Sequence, residues 1–151
     1  MSRNIINNKI EEDLKRALKE RDRLRTDTLR MLKNELKNRQ LEEGEELEKK
    51  QEIEVISSYA RKCRESISEF RKGGREDLLS RAENELEIVM EYMPEQLGEK
   101  RIEEEIKKAI EQTGASSPRD LGKIMGIIMG KFKGRVNGSE VKQIALDLLE
   151  E

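Results

Sequence analysis

The chain has no histidine and no tryptophan, one cysteine, two prolines, and only 3% aromatic residues among its 151. Each scarcity excludes something. Without histidine the commonest general base and metal ligand is missing, and no Ser–His or Cys–His nucleophile can be assembled. With Cys63 alone, no intrachain disulfide and no cysteine metal cluster can form. Cys63 stands among helix-spaced apolar residues and reads as a small core residue. Few aromatics leave little for base stacking, which single-strand binders use. No apolar run approaches the length of a membrane span, and no signal peptide opens the chain, so a cytoplasmic location is expected. There is no GxxxxGK[ST] loop and no GxGxxG following a strand. Neither a metal nor a cofactor is expected.

What is abundant is charge, at 42% of residues against 34% hydrophobic. That balance suits amphipathic helices, which bury only a stripe. The net charge of −2 hides segregation. Between Arg21 and Gln40 seven basic residues face three acidic ones, and between Arg119 and Lys142 six face two, a net of +4 in each segment. A near-neutral protein with two such segments can present local anion-binding surfaces. Most carboxylates stand beside Lys or Arg on helix surfaces, as i,i+4 partners.

Apolar spacing predicts helices over about 5–20, 23–41, 46–72 and 75–92, then 99–112, 117–133 and 139–150. The first carries Ile6, Ile10, Leu14, Ala17 and Leu18 inward, and the fourth Leu78, Leu79, Ala82, Leu86, Val89 and Met93. Gly73-Gly74 ends the third helix. Ser117 and Ser139 are expected as N-caps, with Pro118 at a first helical position. Pro94 breaks the pattern, giving an expected amino-terminal domain over 1–94 and a three-helix tail domain over 95–151. No strand pattern survives, so the fold class is all-α.

The tail contains GKIMGIIMGKFKG at 122–134, with glycine at every fourth position. At about 100° per residue, Gly122, Gly126, Gly130 and Gly134 share one sector with Arg119, Lys123 and Lys133. Leu121, Ile124, Met125, Ile128, Met129 and Phe132 lie opposite. An interior glycine costs a helix roughly 1 kcal/mol against alanine, so a series of them needs a reason. Three readings compete: close packing of a neighbouring helix, fraying at Gly130 and Gly134, or approach of a phosphate backbone to a bare basic face.

The segment YMPEQLGEKRIEEEIKKAIEQTGASSPRDLGKIMGIIMGKFKGRVNGSEVKQIALDLL closely resembles the carboxyl-terminal domain of the GatB/YqeY family. TLRMLKNELKNRQ and SISEFRKGGREDLLSRAENELEI are similar to free-standing YqeY proteins, so the resemblance covers nearly the whole chain. Asn137 stands where the family commonly has aspartate, and Gly130 where it commonly has proline. The resemblance implies a helical amino-terminal bundle and a small three-helix tail. In the B subunit of the glutamine-dependent aminoacyl-tRNA amidotransferase, the similar tail contacts tRNA. The amide-forming centres of that complex lie elsewhere, and nothing in this chain matches them.

The expectation is therefore a non-catalytic protein of translation whose tail binds tRNA phosphates or a tRNA-amidation or aminoacylation complex. Arg119, Lys123, Lys133, Arg135 and Lys142 are the expected phosphate ligands, with Gly122 and Gly126 allowing close approach. Arg23, Arg25 and Arg30 are further candidates. Two alternatives stay open. One is a helical adaptor that docks a protein or a second copy of itself without nucleic acid. The other is carbon–nitrogen ligase activity with glutamine as amide donor, which the resemblance carries as a label.

Overall fold

The computed structural model describes residues 3–150, and among them the chain is all-α, with seven helices and no strand. By its contacts the chain divides after Met93 into two compact units.

The amino-terminal unit holds α1 (Ile5–Glu20), α2 (Arg23–Glu43), α3 (Lys49–Lys72) and α4 (Glu76–Met90). α1 packs on α2, α3 on α4, and α2 touches both α3 and α4. Ile6, Ile10, Leu29, Leu32, Leu36, Leu47, Ile56, Ala60 and Val89 form the core. Full burial of one such aliphatic side chain stabilises by about 1.5–3 kcal/mol. The third helix starts at Lys49, later than its apolar spacing predicts: Leu47 is buried in the core and Glu48 is extended backbone ahead of the helix. Glu48 and Gln51 close a capping box there. Leu18 is a correction: it is 49% exposed, on the flank of α1 away from Ile6, Ile10 and Ala17. Leu78 and Leu79 are only half-buried near the tip of the α3–α4 hairpin.

The start of α1 is held from a distance. Asn4 precedes the helix with φ +55° and makes no side-chain cap. The buried Glu52 carboxylate of α3 instead accepts the N–H of Ile6 at 3.2 Å and of Asn7 at 2.8 Å, satisfying donors that a helix N-terminus leaves open. Burial pushes the Glu52 carboxyl above the ordinary range, against the pull of those two amides. α2 is capped locally, its Asp22 side chain accepting the Arg25 N–H at 3.1 Å.

The tail unit holds α5 (Glu99–Thr113), a 3-10 turn (Pro118–Asp120), α6 (Leu121–Lys131) and α7 (Gly138–Leu149). The three helices pack on one another around Ile102, Ile106, Ile124, Ile128, Phe132, Val141 and Ala145. Two caps differ from expectation. Ser117 precedes the 3-10 turn without a side-chain cap, and α7 is capped by Asn137, whose side chain accepts the Ser139 N–H at 3.0 Å. Among the described residues no helix is long and apolar enough to cross a membrane.

Candidate nucleic-acid interface

The tail's basic segment is built around α6. Ile124 and Ile128 are fully buried, at 0% and 1% exposure, and they fix the rotation of the helix. The opposite face, with Gly122, Gly126, Gly130 and Lys123, is exposed. A Cβ placed on any of these three glycines would meet nothing within 4 Å. No neighbouring helix of this chain, among the described residues, needs them to be small.

Gly134 does not belong to that stripe. α6 ends at Lys131, where Phe132 leaves helical geometry and enters the core. Gly134 then turns the chain at φ +79°, a conformation glycine adopts without a Cβ penalty. The turn is pinned by the 95–97 segment. Leu97 N–H donates to the Arg135 carbonyl at 2.9 Å, and Gln96 Nε2 donates to the Gly134 carbonyl at 2.7 Å. The stripe is thus three glycines on a helix, with Lys133 and Arg135 in the turn that follows. Gly130 lies inside the last turn of α6, so the helix does not fray there.

The five expected phosphate ligands fall into different settings. Arg119 is exposed on the 3-10 turn, and Lys142 is exposed on α7. Lys123 is exposed with its Nζ 4.0 Å from Asp120, a contact too long and too wet to hold it. Lys133 is exposed in the turn. Arg135 is half-buried: its Nε donates to the Glu95 carbonyl at 3.1 Å, and its guanidinium lies 5.9 Å over the Phe132 ring. Its first task is therefore to hold the turn. Asp120 is one of the two acids within this basic segment. The Ser116 N–H, bonded to it at 3.0 Å, holds its carboxyl below the usual range, with the Ser117 amide and Lys123 adding to the effect.

Sequence reasoning missed a buried carboxylate that two exposed lysines neutralise. Glu105 of α5 is only 4% exposed, and its Oε1 lies 3.6 Å from Lys131 Nζ and 3.5 Å from Lys108 Nζ. Lys131 also sits 5.3 Å over the Phe132 ring, so this lysine serves the fold. The available signal was position: Glu105 lies three residues after Ile102 and four before Ala109, inside the buried arc of α5. Glu52 was missed in the same way, at α3 positions flanked by Val55 and Ile56.

In the amino-terminal unit, Arg25 is a structural residue. Its Nη1 donates to both Glu91 carboxylate oxygens at 3.1 and 3.0 Å. Arg23 and Arg30 are exposed on α2. Cys63 is buried, and burial, with Glu85 nearby, pushes its thiol up to about 11, which leaves almost no thiolate at neutral pH. Among the described residues no cluster of three or more His, Cys, Asp or Glu side chains is arranged to hold a metal.

The sequence profile of the family described as Yqey-like protein matches residues 7–149, nearly the whole chain. The chain belongs to the YqeY-like protein family. Among curated proteins it is similar to "Altered inheritance of mitochondria protein 41, mitochondrial" of Lachancea thermotolerans, 34% identical over 85 residues, or 56% of this chain and 46% of that protein. The protein of the same name from Kluyveromyces lactis is 31% identical over 84 residues, covering 55% and 45%, and that from Eremothecium gossypii 29% over 85, covering 56% and 46%. The chain spans about half the length of these YqeY-like relatives. Their names correct the expected cytoplasmic location: all three relatives are named as mitochondrial proteins.

Proposed function

We propose that this YqeY-like protein binds tRNA, using the exposed glycine face of α6 as the surface against which a phosphate backbone lies. The observation that carries the reading is the open space over Gly122, Gly126 and Gly130. Three residues that weaken a helix face solvent and relieve no contact among the described residues, which give no reason for them. A ligand that must approach the helix backbone closely does. Lys123 shares the face, Arg119 stands one turn ahead of it, and Lys133 follows it. Phosphate contacts of this kind position a nucleic acid and set affinity without reading its sequence. Arg135 and Lys142 extend the surface, Arg135 through the turn it stabilises. The proposed role is binding, with any chemistry on the tRNA supplied by a partner complex.

The test is the affinity of the full chain for total tRNA at stepped salt, for wild type and for Lys123→Glu/Lys133→Glu. The expected result is measurable binding whose logarithm falls with log[salt], with a weaker and flatter dependence in the variant. A folded variant that binds as wild type does would remove α6 from the account.

A further inference from the structure

The outward face of α2 is a second basic surface, and it does not rest on the tail-unit reading. α2 carries six basic residues, and the fold sorts them into two groups. Arg25 is held by Glu91 and Asp22, Lys33 reaches Glu11 of α1 at 3.5 Å, and Arg39 holds Glu43 at 2.9 Å and Glu54 at 3.2 Å. Arg23, Arg30 and Lys37 are exposed and make no ion pair among the described residues. They are seven residues apart, so they share one face and follow one another at about 10 Å along the helix. Leu29, Leu32 and Leu36, all buried, lock that face outward.

Two interhelical pairs bracket the row. Lys33–Glu11 marks its α1 side. On the α4 side, Asp27 pairs with Arg81 at 3.4 Å, so the one acid on this face is neutralised by a cation from another helix. The paired basic residues are explained by the fold, whereas the unpaired row contributes nothing to it. Like charges about one Debye length apart repel weakly at physiological salt, so the row is tolerated without being useful to folding.

We infer that this face is a track for an RNA backbone, with Arg23, Arg30 and Lys37 each neutralising a phosphate and the exposed Asn34 between them donating a hydrogen bond. A polyanion with charges in a regular line complements cations in a regular line, which a compact acidic patch on a protein does not. The face has no aromatic side chain, so the contact is to the backbone and indifferent to base sequence.

The experiment uses the full chain, total tRNA and stepped salt, comparing wild type with Arg23→Gln/Arg30→Gln/Lys37→Gln. Glutamine is a good helix former, and these side chains hold no partner among the described residues, so the fold is kept. Lys50→Gln/Lys62→Gln/Lys72→Gln, on exposed α3 positions, makes the same change in net charge. The α2 variant is expected to flatten the slope of log K against log[salt] by about 2 to 3, at roughly 0.7–0.9 per phosphate. The α3 variant should leave it unchanged. An α2 variant with the wild-type slope, or a wild type that does not bind tRNA at low salt, overturns the inference. So does an effect that appears only on phosphatidylserine vesicles, which would assign the row to a lipid surface. The α6 variant Lys123→Glu/Lys133→Glu, run alongside, separates the two surfaces, since either can lose its effect while the other keeps it.

Discussion

Glu52 shows how much one side chain can organise. Its carboxylate closes the first turn of α1 across a separation of 46 residues in sequence. Glu52→Ala leaves the Ile6 and Asn7 amides unpaired, and urea unfolding should show a loss of about 1–3 kcal/mol. Glu52→Gln, which keeps an acceptor, should lose less. The pH dependence has a definite sign. Because burial raises the folded-state carboxyl above its ordinary value near 4.5, the native state binds the proton more tightly than the unfolded chain. The contribution is fully present below pH 4.5 and is lost as pH rises through the raised folded value. Wild type should therefore lose stability relative to Glu52→Gln as pH rises across that window, and unfolding curves at stepped pH check it. The burial of Glu52 was signalled by its place three and four residues before Val55 and Ile56, but its partners on α1 were not legible. Local spacing reports which face of a helix is apolar, and says nothing about a partner on another helix, so Glu52 and Glu105 were read with the surface carboxylates.

Helices were the legible level. α1 runs over the residues its apolar spacing predicts, and α2 and α5 differ only at their ends. The ends depend on competition that spacing does not describe. α6 stops at Lys131, and Gly134 turns the chain at φ +79°, out of the stripe. The same substitution should therefore have opposite effects at two glycines. Gly126→Ala fills open space inside a helix and should stabilise by about 0.8–1 kcal/mol. Gly134→Ala forces an L-residue to φ +79° and should destabilise by about 1–2 kcal/mol. Urea unfolding of the two variants reads both signs. The outward position of Gly122, Gly126 and Gly130 was legible from the wheel. That nothing among the described residues covers them was not, because it depends on where α5 and α7 pack.

For the molecule as a whole, charge is distributed to act locally. A chain of net charge −2 attracts a polyanion poorly at long range, so the proposed binding would have to come from faces where basic residues outnumber acids. The fold supplies such faces by using part of its basic residues in ion pairs, as with Arg25, Arg39 and Lys131, and leaving others exposed. We propose that the glycine face of α6 is bare for a ligand. Gly126→Gln tests it most directly, because it adds bulk over open space, changes no charge and replaces glycine by a better helix former. The measurement is affinity of the full chain for total tRNA at low salt, with urea unfolding recorded on the same protein. The expected variant is at least as stable as wild type and binds tRNA several-fold more weakly. A variant that is equally stable and binds tRNA as tightly as wild type would contradict it.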